Sequence, residues 1–108
     1  MASQQRIETL KGLIAQDPKD SFSRYALALE YSGINEPVTA IELLEELLTL
    51  DPKYLPAYHM LGQLLGKLNR TPDAKRIYRA GIDLATEQND EKTVKELREE
   101  LEELEDEW

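Results

Sequence analysis

Cysteine is absent from this 108-residue chain, which removes disulfides and thiolate metal sites from consideration. Long apolar runs are absent too. None approaches the roughly 20 residues that a bilayer-spanning helix needs. The opening residues, Met1-Ala2-Ser3-Gln4-Gln5-Arg6, lead into an amphipathic stretch without an apolar signal segment, so a cytoplasmic protein is expected. Basic charge is in short supply: 13 Lys and Arg stand against 22 Asp and Glu, for a net charge of −9. The imbalance is concentrated between Glu91 and Trp108, where nine acids face three bases. A surface this acidic repels phosphate backbones and anionic lipid, so neither nucleic acid nor membrane is an expected partner.

What is present is a repeat. Asp17-Pro18-Lys19 returns as Asp51-Pro52-Lys53, an offset of 34. The same offset pairs Leu27 with Leu61, Ala28 with Gly62, Asn35 with Asn69, Ala40 with Ala74 and Leu50 with Leu84. Small residues meet small and large meet large, as self-similar helical units require. Within each unit the apolar spacing is helical: Tyr25, Ala28, Leu29 and Ser32 in one segment, and Ile41, Leu44, Leu47 and Leu48 in another. Pro37 and Pro72 stand where second helices should open, since a first-turn proline gives up an N–H that has no partner anyway. Asp20 and Thr71 are read as N-caps. Gly33-Ile34-Asn35 and Leu68-Asn69-Arg70 are read as turns. The spacing predicts six helices, over 4–16, 21–33, 37–50, 56–68, 72–85 and 90–106, with no competing strand pattern. Short connections make consecutive helices antiparallel neighbours.

On these residues the chain resembles the tetratricopeptide repeat family, whose period is also 34. The first repeat, 21–54, carries Leu27-Ala28, Tyr31, Ala40, Leu44, Leu47 and Pro52. The second, 55–88, carries Tyr58, Leu61-Gly62, Leu65, Ala74, Tyr78, Gly81 and Ile82. Residues 3–18 look like the second helix of a preceding half-repeat, and 89–108 like a capping helix, all within one domain. The resemblance implies an all-α fold, a right-handed superhelix of about six antiparallel helices. There are departures. Arg24 replaces a frequent aromatic, Arg6 replaces the signature alanine of the half-repeat, and Thr86 replaces the closing proline. The last suggests that the fifth helix runs on or bends differently into the sixth.

A repeat array needs caps with a polar outer face. Ile7, Leu10, Leu13 and Ile14 are expected to face inward on the first helix, and Val94, Leu97, Leu101 and Leu104 on the last. The latter stripe has heptad spacing, so self-association through end faces or the C-terminal helix stands as the alternative function, with a homodimer in place of the expected monomer. The acids between Glu99 and Glu107 oppose the helix dipole, so the last turn is expected to fray. Trp108 either packs back as an anchor or is disordered.

The family resemblance implies a protein or peptide partner on a concave face lined by the first helix of each repeat, in a scaffold or adaptor role. That face would present Phe22, Tyr25, Leu29 and Ser32, then Pro56, His59, Gln63, Gly66 and Lys67. Family members that grip a terminal carboxylate use basic and amide side chains at positions matched here by Tyr25, Leu29 and Met60, so such tails are not the expected guest. Phe22 and Tyr25 have a second reading, as core against the first helix. Catalysis, a cofactor and a metal are not expected. His59 is the one histidine and has no acid within its own helical turn, too little for a triad or zinc site. Ser3, Ser21, Ser23 and Ser32 read as caps and turns. A Gly-rich phosphate loop is missing, and the acidic cluster lacks calcium-loop spacing.

Overall fold

A computed structural model describes residues 2–106; Trp108, whose anchoring was left open above, lies outside them. Six helices occupy the described residues: α1 (Ala2–Gln16), α2 (Ser21–Gly33), α3 (Pro37–Leu50), α4 (Leu55–Lys67), α5 (Thr71–Glu87) and α6 (Glu91–Glu105). No helix is long and apolar enough to cross a membrane among these residues. This is an all-α helical repeat fold. Its backbone contacts fall into two compact units that divide between Tyr54 and Leu55, which is also the boundary between the two sequence repeats.

In the first unit, α1 packs on α2 and α2 on α3. Ser23, Leu27 and Ala28 of α2 are buried, as are Ala40, Ile41, Leu44 and Leu47 of α3. Each fully buried leucine contributes about 1.5–3 kcal/mol relative to an exposed one. Ile7 is the buried anchor of α1. Leu13, expected inward, is instead 42% exposed. It falls about 120° round the helix from Ile7, so the buried apolar stripe of α1 is narrower than the sequence pattern. Polar ties reinforce the packing: Arg6 pairs with Glu30 at 3.2 Å and Arg24 with Glu46 at 2.5 Å. Arg24 also donates from Nε to the Pro18 carbonyl at 3.0 Å, so the arginine that departs from the family pattern clasps α2 to its neighbours.

In the second unit, α4 packs on α5 and α5 on α6. Glycine is required at the close approach: a Cβ on Gly62 would lie 2.8 Å from the Tyr78 ring. Gly81 sits where three helices meet, with Leu97 Cδ1 and Tyr58 Cβ each 3.0 Å from where its Cβ would stand. Leu61, Leu65 and Leu97 are fully buried, and Leu55, Leu84 and Ala85 form a further cluster against Tyr58 and Val94. The apolar stripe of α6 is therefore in use on its own chain, as a cap's would be.

Helix ends are set by local chemistry. Asp20 Oδ1 accepts the Ser23 N–H at 2.9 Å and Asp90 Oδ1 the Thr93 N–H at 3.1 Å. Pro37 and Pro72 lie in the first turns of α3 and α5. Thr71 is not the N-cap: α5 begins at Thr71 itself, and Arg70 precedes it without a side-chain cap bond. Asn35, Asn69 and Asn89 adopt φ of 62°, 61° and 59°, the left-handed conformation that asparagine tolerates better than most residues. The following N–H then reaches back to a helix carbonyl, Glu36 to Tyr31 and Arg70 to Leu65 at 2.9 Å each, and Asp90 to Ala85 at 2.9 Å. These are Schellman closures. Without a proline at Thr86, α5 runs to Glu87 and is three residues longer than α3, as the sequence suggested.

Candidate functional site

On α2, Phe22, Tyr25, Leu29 and Ser32 share an arc of about 80° at 3.6 residues per turn. The arc is set by Leu27, which turns the opposite side of the helix into the core, and Ala28 is buried at the arc's flank beside Ser32. Phe22 is 68% exposed and Leu29 44% exposed, so Phe22 is not core against α1. Tyr25 is half-buried. Its ring leans on Tyr54, with centroids 5.7 Å apart and planes at 53°, inside the range of favourable aromatic pairs. Burial raises the phenol pKa of both tyrosines, and for Tyr54 the charges of Asp20 and Asp51 add to it. Ser32 is partly buried, and its carbonyl is taken by the Asn35 N–H at 3.1 Å. This arc is thus apolar at its N-terminal end and polar where α2 closes.

On α4 the expected residues are arranged differently. His59 Nε2 lies 2.5 Å from Glu100 Oε2 of α6, with both side chains a little over a quarter exposed. Glu100 Oε1 accepts the Tyr78 hydroxyl at 2.8 Å. Burial, followed by this bond to a carboxylate, pushes the Tyr78 pKa well up. One carboxylate thereby pins α6 to both α4 and α5. Gln63 and Lys67 are exposed and line a groove of about 360 Å³, with Glu103 and Leu104 of α6 opposite and Tyr78 and Gly66 beneath. Among the described residues no three of His, Asp and Glu converge to hold a metal ion.

Of the residues that sequence spacing expected on this face, Phe22, Leu29, Gln63 and Lys67 are exposed, and Tyr25, Ser32 and His59 are partly buried. The same spacing missed Glu100, Glu103 and Tyr54. Nothing in the α6 charge run distinguishes Glu100 from its neighbours, and His59 meets it only through packing 41 residues apart. Ser23 takes part in the Asp20 cap as read, its hydroxyl donating to Asp20 at 2.5 Å, whereas Ser21 donates to Asp51, 30 residues away, at 2.6 Å and so ties α2 to the end of α3.

The tetratricopeptide repeat family profile matches residues 35–101. The chain is similar to the solution structure of a tetratricopeptide repeat domain protein from Salinibacter ruber, at 40% identity and a TM-score of 0.78, over 82% of this chain and 90% of that one. A protein of Bordetella parapertussis is similar at 28% identity and 0.79, over 91% and 85%. The TPR2B domain of yeast Sti1, solved in complex with pHsp70, shares the fold at 15% identity and 0.85, over 92% and 79%. No curated protein sequence matches the chain.

Proposed function

The chain belongs to the tetratricopeptide repeat family, and from that we propose that it is a non-enzymatic protein-interaction module, a scaffold or adaptor that binds an apolar-faced peptide or helical segment of a partner. The observation that carries this reading is the open α2 arc, where Phe22 is 68% and Leu29 44% exposed. A large ring and a branched side chain held in water are unfavourable until something covers them. Covering one such side chain contributes about 1.5–3 kcal/mol, and aromatics gather at binding hot spots because they offer area at low rotamer cost. In this reading Phe22 and Leu29 are the anchors and Tyr25, braced by Tyr54, is a preorganised wall. Ser32 supplies the polar end of the arc. Tyr25 and Leu29 carry no positive charge to offer a carboxylate, and Met60 is buried, so the guest is held by its apolar side chains rather than by a charged terminus. The proposed setting is the cytoplasm, consistent with a cysteine-free chain.

The test is capture of partners from the native cell by the tagged protein, read by mass spectrometry, with Phe22→Ala/Leu29→Ala as the comparison. Both side chains are exposed, so the variant is expected to melt like the parent. Tyr25 is a poorer choice, because its removal also disturbs Tyr54. A partner that is captured by the parent and lost by the variant supports the arc. Undiminished capture moves the site elsewhere.

A further inference from the structure

We propose that the groove between α4 and α6 receives a lysine or arginine side chain of the bound partner. The inference rests on the interaction reading above and adds the charge of the guest. The two walls differ. The α6 wall carries Glu100 and Glu103, and the α4 wall carries Gln63 and Lys67. Both oxygens of Glu100 are committed, one to Tyr78 and one to His59. Glu103 has no such commitment: among the described residues it has no hydrogen-bond or ion-pair partner, and neither does Lys67. Around Glu103 lies the most acidic stretch of the chain, nine acids to three bases from Glu91 onward, whose field concentrates cations at a concave surface.

The groove also suits the stem of such a side chain. A Cβ on Gly66 would fill space 3.7 Å from Leu104 Cδ2, and glycine leaves that space open. Leu104 offers apolar contact to a methylene chain whose charged head stays near water at Glu103. Lys67 opposes the guest, and its removal is an independent handle.

The probe is a 14-residue amidated peptide of leucine and lysine in helical register, titrated against its leucine–glutamate counterpart. The parent is expected to bind the lysine peptide and not the glutamate one, with the amides of Gly66, Lys67 and Asn69 shifting in NMR spectra. Glu103→Lys should weaken binding by about fivefold, the scale of one partly exposed charge pair, and Lys67→Gln should strengthen it. Glu102→Lys, the same charge change outside the groove, should alter it less than about twofold. Equal losses from Glu102→Lys and Glu103→Lys would show diffuse attraction and overturn the proposal, as would absent binding or no preference between peptides. If Glu103→Lys leaves native-partner capture intact while Phe22→Ala/Leu29→Ala abolishes it, the interaction module stands and only this inference fails.

Discussion

Single atoms decide much of the second unit. At Gly62 the missing Cβ is the space that the Tyr78 ring occupies, 2.8 Å away. Gly62→Ala is therefore expected to cost about 1–3 kcal/mol through overpacking. Gly12 has nothing within 4 Å of its would-be Cβ, so there the same substitution should stabilise α1 by about 0.5–1 kcal/mol through reduced backbone entropy. Chemical or thermal melts showing the same sign for both would contradict the packing described. Tyr78→Phe removes the hydroxyl bond to Glu100 and should cost about 1–2 kcal/mol at neutral pH. The folded-state pKa of Tyr78 is raised above an unfolded value of about 10. Its contribution is whole below pH 10 and is lost as pH rises through the folded value, so the parent and Tyr78→Phe should converge in stability only in strong alkali. Residue types at the helix crossings were legible because close packing leaves few choices: Ala28, Gly62, Ala40 and Ala74 are all buried as expected. The partner of His59 was not, since a surface glutamate and a pinning glutamate are the same letter in a charged helix.

At the scale of elements, α6 is held by a short apolar stripe and a few polar pins. Leu97 is fully buried and meets Gly81 of α5. Leu97→Ala should cost about 2–5 kcal/mol, with hydrogen exchange accelerating along α6 more than along α2. Asp20 and Asp90 are held below the usual carboxylate range by their bonds to Ser23 and Thr93. Their support is present at neutral pH and fades as pH falls toward and through their lowered values. Asp90→Ala should accordingly lower the melting temperature at pH 7, with the difference from the parent shrinking in strong acid. Helix positions came readily from apolar spacing, prolines and turn residues. The bounds differ from expectation by one or two residues at most ends, where frayed turns obey capping rather than periodicity. Asn89 repeats the closure of Asn35 and Asn69 but lies 20 residues after Asn69 instead of 34, so a search at fixed period passes it by.

Across the whole molecule, charge and apolar exposure are distributed unequally. With a net charge of −9, self-repulsion outweighs the exposed ion pairs, each of which contributes little. Raising ionic strength from about 0.01 M to about 0.3 M shortens the Debye length several-fold and should raise the melting temperature; a fall would mean that attractive pairs dominate. Among the described residues, the large apolar side chains left exposed, such as Phe22, Leu29, Ile34, Val38 and Leu50, all belong to the first unit. Helical spacing alone marked Phe22 and Leu29, because residues on the side of α2 away from Leu27 must point away from the core. The groove beside Lys67 was beyond such reading, since its far wall comes from a different helix. Phe22 is the one phenylalanine in the chain. Fluorophenylalanine supplied during expression would enter at that position alone, giving a single ¹⁹F resonance whose movement reports a guest's arrival without altering any other side chain.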